Sequence, residues 1–160
     1  MKIGLLSDTH GFFDKKVYSY FNDVDEIWHA GDIGDIKVLD DLMGFKKTRA
    51  VYGNIDNFEI RNLCKQELIF SINNFKIYMT HIGGKPPNYN KEVINKIKEI
   101  RPDIFICGHS HILNISKDKN LNLLYINPGA AGKIGFNKER TLVRFEIKTK
   151  KVTSMEVVKL

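Results

Sequence analysis

Cys107-Gly108-His109-Ser110-His111 is the stretch of this 160-residue sequence that decides how the rest of the chain is interpreted. An apolar run, Ile104-Phe105-Ile106, leads into it and predicts a buried strand that stops abruptly and presents two imidazoles at its end. Neutral imidazole is the commonest metal ligand in proteins. A His-x-His pair is equally compatible with a surface turn, so the stretch indicates a metal site only if the chain supplies further ligands.

Three more strand-like runs, in the first third of the chain, also end in polar clusters. The runs cover 2–6, 24–28 and 48–52, and the clusters that follow them are Ser7-Asp8-Thr9-His10-Gly11, His29-Ala30-Gly31-Asp32 and Gly53-Asn54-Ile55-Asp56. Amphipathic helices are predicted between these strands, over 14–21 and 35–43, with Asp14 and Asp35 as their N-caps. This alternation indicates an α/β fold with a largely parallel sheet and one shared functional edge.

The second half of the chain predicts mainly strands. Runs 67–72 and 75–80 flank Asn73-Asn74 as a β-hairpin whose second arm ends in His81. A helix is predicted over 88–100, stopped by Pro102. Further strands are predicted over 103–107, 112–116, 122–126, 141–147 and 152–158, with a loop at 127–132 and a lysine turn at 148–151.

Residues suited to metal binding recur at the predicted strand ends. They comprise four of the five histidines together with two aspartates and an asparagine: Asp8, His10, Asp32, Asn54, His81, His109 and His111. Carboxylate, imidazole and amide oxygen suit divalent manganese, iron or zinc. Because the set contains no thiolate, a structural zinc site is disfavoured. Seven ligands are too many for one ion and suit two ions that share a bridging carboxylate.

The sequence resembles the calcineurin-like metallophosphoesterase family, in particular its compact bacterial and archaeal phosphodiesterases. The matching blocks occur in the family's order: Asp8-Thr9-His10, Gly31-Asp32, Gly53-Asn54, His81 and Gly108-His109-Ser110-His111, with Asn127-Pro128-Gly129 resembling the loop that follows. The resemblance implies a four-layer α/β/β/α sandwich of two mixed sheets, formed by a single domain over 1–160. It also implies that the metals lie at the edge between the sheets.

The resemblance further implies how the ligands divide between two metal ions. One ion takes Asp8, His10 and His111, the other takes Asn54, His81 and His109, and Asp32 bridges them; Asp32 and Asn54 are the implied catalytic residues. The expected activity is phosphodiester hydrolysis by attack of a metal-bridging hydroxide. Two ions about 3.5–4 Å apart lower the pKa of a shared water and clamp the phosphoryl oxygens. Manganese is the expected metal, with zinc, iron, nickel and magnesium as alternatives.

Three positions depart from the family pattern. Ile55 stands where many larger members have a histidine that protonates the leaving group, which favours diesters or activated esters over alkyl monoesters. Ile82 follows His81 where small members often have glycine, and Ala130 stands where a serine is common.

Several nearby residues have a structural as well as a functional interpretation. His29 either lines the site or is a strand-end histidine held by its neighbours. Asp56 either orders its own turn or hydrogen-bonds a metal ligand. Cys107, within an apolar run, is expected to be an inert core thiol.

Amino-acid composition restricts the expected cellular location and the expected binding partners of the protein. The two cysteines are far apart and predict no disulfide, and the chain has no signal-peptide core or membrane-length apolar run, so a cytoplasmic enzyme is expected. The net charge of +6 comes from scattered lysines rather than a basic stripe, which disfavours a nucleic-acid partner. The expected substrate is a small phosphodiester, for which a cyclic nucleotide, a dinucleotide and a lipid or sugar diester all stay open. A homo-oligomer also stays open.

Two other functions are compatible with the same fold. One is a non-catalytic protein-binding scaffold similar to the retromer subunit of this family, which is disfavoured because no ligand position is lost. The other is a metal-dependent nuclease, which is disfavoured by the lack of a basic stripe.

Overall fold

The structure is a computed structural model that describes residues 1–135, 139–149 and 151–160. Its strands, in chain order, are β1 (Lys2–Leu6), β2 (Glu26–His29), β3 (Lys47–Ala50), β4 (Glu67–Ile72), β5 (Phe75–Thr80), β6 (Gly84–Lys85), β7 (Asn88–Tyr89), β8 (Ile104–Ile106), β9 (Leu113–Asp118), β10 (Leu123–Pro128), β11 (Thr141–Lys148) and β12 (Lys151–Lys159). Its helices are α1 (Lys16–Tyr20), α2 (Ile36–Phe45), α3 (Phe58–Leu63) and α4 (Lys91–Ile100).

The strands form two five-stranded mixed sheets within the described ranges. The first sheet has the order β12-β11-β1-β2-β3, in which β1, β2 and β3 run parallel. The second has the order β4-β5-β8-β10-β9, in which β5, β8 and β10 run parallel. Each sheet therefore contains three parallel neighbours, and the carboxyl ends of three parallel strands lie at one edge.

Three hydrophobic clusters show how the layers pack. One cluster lies between the two sheets and includes Leu5 and Trp28 of the first sheet and Ile77 and Ile106 of the second. Another joins α1, α2 and α3 to the outer face of the first sheet, and a third joins α4 to the outer face of the second. The arrangement confirms the predicted α/β/β/α sandwich of two mixed sheets.

The helices differ from the sequence-based expectation in three places. Asp35 does cap α2, accepting a hydrogen bond from Lys37 N at 2.9 Å. The helix α1 begins one residue later than expected, so Lys15 occupies its N-cap position, while Asp14 accepts a hydrogen bond from Lys16 N at 3.0 Å. The six-residue helix α3 was not predicted. The predicted helix over 88–100 begins only at α4, because the preceding residues form a small hairpin of β6 and β7.

The predicted strands all occur, with ends displaced by at most two residues. The hairpin of β4 and β5 has the predicted bounds around Asn73-Asn74. The lysine turn falls partly on Lys150, which lies outside the described residues. Among the described helices, none has the length and apolar character required to span a membrane.

Candidate metal centre

Every predicted ligand follows one of the parallel strands. Asp8 and His10 follow β1, Asp32 follows β2, Asn54 follows β3, His81 follows β5, and His109 and His111 follow β8. The loops from the two sheets meet: Gly108 N donates to His81 O at 3.0 Å, and His109 N lies 3.2 Å from both carboxylate oxygens of Asp8. The sandwich thus brings residues more than one hundred positions apart to one edge.

The backbone at this edge is unusual. Five of the seven residues have positive φ, between 48° and 67°: Asp8, His10, Asp32, His109 and His111. Left-handed backbone is uncommon outside glycine, although Asn, Asp and His adopt it most readily, and it persists where the surrounding structure enforces it. Hydrogen bonds between loops supply that constraint, including Asp8 N to Gly31 O at 2.9 Å and His10 N to Asp32 O at 3.0 Å.

Asp8, His10 and His111 form the first ligand group. One potential ligand atom from each of the three side chains lies within 4.8 Å of the others. His111 Nε2 lies 3.2 Å from Asp8 Oδ1 and 3.2 Å from His10 Nε2. Asp8 is fully buried, so its negative charge is removed from water and requires positive charge nearby.

Asp32, His81 and His109 form the second ligand group, again with one atom from each within 4.8 Å of the others. The carboxylate of Asp32 faces both groups. Its Oδ1 lies 3.2 Å from His81 Nε2, and its Oδ2 lies 3.7 Å from His10 Nε2 of the first group. A carboxylate with one oxygen toward each group has the geometry of a bridging ligand.

The hydrogen bonding of His81 fits a cation in the second group. Its Nδ1 lies 2.8 Å from the carbonyl oxygen of Ala30, and because a carbonyl only accepts, Nδ1 carries a hydrogen. If the ring is neutral, Nε2 is unprotonated and carries a lone pair. This buried atom has no hydrogen-bond partner in the described part of the chain. It faces an Asp32 oxygen, so two lone pairs converge, which a divalent ion between them would relieve.

Electrostatic interactions shift the ionisation of three of these groups. Burial raises the pKa of Asp32, but interaction with His81 and the backbone N–H of Ile55 outweighs it and holds the pKa below its ordinary value. Burial lowers the pKa of His81, but the Asp32 and Asp8 carboxylates raise it more. Interaction with Asp8 raises the pKa of His111. The site therefore attracts protons in the absence of another cation.

Asn54 lies in the loop that follows β3. It lines a cleft of about 330 Å³ together with His81, Ile82 and Arg61. Arg61, on α3, donates from Nη2 to Asn54 O at 3.1 Å and from Nε to Asp56 O at 2.7 Å, so the guanidinium fixes the backbone of the Asn54 loop. Arg61 was not singled out from the sequence, because α3 itself was not predicted.

His29 and Asp56 support the loops rather than the ligand groups. His29 is fully buried; its Nδ1 accepts from Gly31 N at 3.2 Å and its Nε2 lies 2.9 Å from Thr9 Oγ1. Burial lowers the pKa of His29 to about 4, so the ring is neutral at pH 7. The Asp56 carboxylate accepts from Gly53 N within its own turn and from Gly34 N of another loop, both at 2.7 Å.

Asn127 holds the loop that contains His109 and His111. Its fully buried side chain donates to Gly108 O at 2.8 Å and to Ser110 Oγ at 3.1 Å, and accepts from Gly129 N at 3.0 Å. The sequence showed Asn127 only as the first residue of a predicted loop. An asparagine at the end of a buried strand, just before Pro-Gly, was the available signal.

Two glycines make room for ligand side chains. A Cβ on Gly31 would lie 2.6 Å from the ring of His81, so this position accommodates the imidazole. A Cβ on Gly53 would overlap Oδ1 of Asp32 and lie against its backbone N. Both positions therefore fix where the ligand side chains lie.

Residues 1–150 match the family model of the calcineurin-like phosphoesterase superfamily domain, and the chain belongs to that superfamily. A probable metallophosphoesterase of Methanocaldococcus jannaschii is 35% identical to it over 136 residues, covering 81% of this chain and 68% of that protein. The match confirms the resemblance seen in the sequence motifs.

Solved structures share the fold. An archaeal phosphodiesterase superposes with a TM-score of 0.79 at 24% identity, covering 100% of both chains. The zinc complex of Vps29 from Entamoeba histolytica superposes with a TM-score of 0.75 at 19% identity, covering 100% of this chain and 98% of that one. The same architecture thus occurs in a phosphodiesterase and in Vps29.

Proposed function

We propose that this chain is a dinuclear metal-dependent phosphodiesterase. Asp8, His10 and His111 would hold one ion, Asn54, His81 and His109 would hold the other, and Asp32 would bridge them. The observation that carries this proposal is the pair of ligand groups with one Asp32 oxygen facing each. Superfamily membership supports phosphoester hydrolysis as the reaction class.

Two bound divalent ions would supply a water of lowered pKa and positive charge for the phosphoryl oxygens. The chain's own groups prepare the ligands for this task. The hydrogen bond from His81 Nδ1 to Ala30 O sets the ring so that Nε2 faces the site. The backbone N–H groups of His109 and Ile55 donate to the carboxylates of Asp8 and Asp32, and this fixes both carboxylates before substrate arrives.

The preference for diesters or activated esters rests on Ile55. Its side chain, next to Asn54 in the sequence, is 45% exposed and has no ionisable group, so it cannot protonate a departing alkoxide. His29 cannot replace it, because that ring is fully buried and bonded to Gly31 and Thr9. A leaving group of low basicity departs without an acid, which favours aryl or otherwise activated diesters.

The donor set restricts the metal. Imidazole nitrogens, carboxylate oxygens and an amide oxygen suit manganese, zinc, iron and nickel, and a hydrated magnesium ion is a further option. We propose manganese as the working metal. The zinc-bound relative shows that zinc was accommodated in that protein on this fold.

Hydrolysis of bis-p-nitrophenyl phosphate with added manganese tests this function. We expect turnover by the wild type, and a loss of at least about 100-fold in Asp32→Ala, which removes the group shared by both ions. Asp40→Ala, which removes an exposed aspartate on α2, is the matched control and should keep wild-type activity. Full activity in Asp32→Ala, or no turnover with any of the five metals, would refute the assignment.

A protein-binding scaffold is the second candidate, because the chain shares its fold with Vps29. Metal content alone does not separate the two, because the Entamoeba histolytica protein was itself solved with zinc. Turnover that depends on Asp32 does separate them, since a scaffold has no need for it.

A further inference from the structure

A groove of about 420 Å³ opens beside His109. One wall is the β6–β7 hairpin with Lys85 and Asn88, and the other is formed by Ile112, just before β9, and by Asn114 of that strand. The loop that carries His109 forms the end of the groove. We call it the His109 groove; its volume lies within the range of about 300–1,000 Å³ that is typical of small-molecule sites.

Hydrogen bonds anchor the hairpin wall to the second sheet. Tyr89 Oη donates to Asp118 Oδ2 of β9 at 2.8 Å, and Tyr125 Oη of β10 donates to Gly84 O at 2.9 Å. Backbone pairs link Gly84 to Tyr89 within the hairpin. The groove is therefore formed before a ligand arrives, which lowers the entropy cost of binding.

The lining of the His109 groove combines exposed apolar side chains with amides. Ile82, Ile112 and Leu113 are 38%, 55% and 36% exposed, although burying them would be favourable. Three asparagines, at positions 88, 90 and 114, lie among them; Asn90 Nδ2 donates to Ile82 O at 3.4 Å, and an amide has a second N–H donor and an acceptor oxygen besides. Lys85 is the charged group of the lining, which contains no carboxylate among its described residues.

This combination matches a ligand with apolar faces and a polar edge. A planar heterocyclic base has such faces and carries both donors and acceptors on its rim. An acyl chain would bury the asparagine amides without partners, which costs free energy. A sugar alone would leave the isoleucines without an apolar surface to cover them. The chemistry of the lining thus favours a nucleobase over the lipid and sugar alternatives.

The groove adjoins the candidate metal centre. His109 belongs to both, and Ile82 borders the His109 groove and also the polar cleft that contains Asn54. A phosphate held by the ligand groups would therefore have one ester arm directed into the groove. We infer that the His109 groove binds the nucleoside arm of the phosphodiester substrate. This inference rests on the proposed function and narrows its substrate class to diesters with one nucleoside arm, whose other arm is the leaving group of low basicity.

Calorimetric titration of the manganese-loaded protein tests the inference without relying on turnover. Adenosine 5′-monophosphate and methyl phosphate carry the same phosphate but differ in the nucleoside arm. We expect the nucleotide to bind at least about ten-fold more tightly than methyl phosphate, as a few apolar contacts and hydrogen bonds would provide. Equal affinities, or no binding of either compound, would overturn the inference.

Variants on the two walls locate the binding. Ile112→Ala and Asn88→Ala each alter an exposed side chain, so both should fold; each should reduce the advantage of the nucleotide by at least about three-fold and leave methyl phosphate binding unchanged. Ile69→Ala on β4, at 44% exposure, is the matched control and should change neither affinity. A nucleotide advantage that survives both wall variants would also overturn the inference.

Turnover of bis-p-nitrophenyl phosphate by the same preparations separates the two proposals. Tighter binding of the nucleotide without turnover would refute the proposed phosphodiesterase activity and would still support the His109 groove as a nucleoside-binding site. Turnover with equal affinity for the two phosphates would refute the groove and leave the phosphodiesterase.

Discussion

His29 makes the stability of the fold depend on pH. The ring is fully buried, and its two nitrogens contact Gly31 N and Thr9 Oγ1, so a second ring proton has no acceptor there. Its pKa is about 4 instead of 6.5 because burial disfavours the charged form. The unfolded chain therefore takes up this proton at higher pH than the folded protein, and stability falls as the pH drops from about 6.5 toward about 4.

The size of this effect follows from the pKa gap of His29. At about 1.36 kcal/mol per pH unit, the complete loss of unfolding free energy is about 3 kcal/mol, of which about 2 kcal/mol is reached by pH 5. His81 and His111 act in the opposite direction, because their raised pKa values favour the folded state at low pH and that contribution is lost as the pH rises. A measurement on the wild type alone would mix these effects.

Comparison with the variant His29→Asn isolates the contribution of His29 to the pH dependence of stability. The asparagine Oδ1 can accept the hydrogen bond from Gly31 N, and the substitution removes the titrating ring while His81 and His111 stay in both proteins. Urea unfolding of the metal-free proteins at pH 7 and pH 5 gives the stability difference at each pH. We expect the free energy of unfolding of the wild type, relative to that of His29→Asn, to be about 2 kcal/mol lower at pH 5 than at pH 7. A difference that is the same at both pH values would refute the buried neutral state of His29.

Three further experiments test the residues that position the candidate ligands and the dependence of activity on metal. Gly53→Ala should reduce phosphodiesterase activity by about 100-fold with an unchanged far-UV circular dichroism spectrum, because its Cβ would displace Asp32; normal activity would contradict the close approach. Asn127→Ala should lower the free energy of unfolding in urea by about 2–4 kcal/mol, because Gly108 O and Gly129 N lose a buried partner; a change below about 0.5 kcal/mol would contradict this role. Chelation should abolish turnover and lower the melting temperature, and manganese should restore both; turnover unaffected by chelation would contradict a metal-dependent reaction.

The predicted ligand set depended on one regularity that is visible in the sequence. Clusters of polar residues follow several of the apolar runs that predict strands. Parallel strands place such residues at one edge of the sheet, whatever their separation along the chain. Asp8 and His109 illustrate this: they are 101 positions apart, yet the backbone of one contacts the carboxylate of the other. The six histidine and aspartate ligands of the prediction come together in the structure.

Features that depend on tertiary contacts were not predictable from the same pattern. The β6–β7 hairpin replaces the start of a predicted helix because Tyr125 and Asp118 of distant strands hold it in place. Asp56 was expected to order its own turn, and it also accepts a hydrogen bond from Gly34 N, 22 positions earlier. Left-handed backbone at Asp8 and His10 likewise follows from hydrogen bonds between loops, which local sequence does not encode.

The number of ions bound per chain tests most directly the claim on which the account depends, that two metals share Asp32. Elemental analysis of the wild type, after saturation with manganese and removal of the free metal, should give two ions per chain. The same measurement on Asp32→Ala should give fewer, since Asp32 faces both ligand groups. One ion or none in the wild type would contradict the proposed pair of metals.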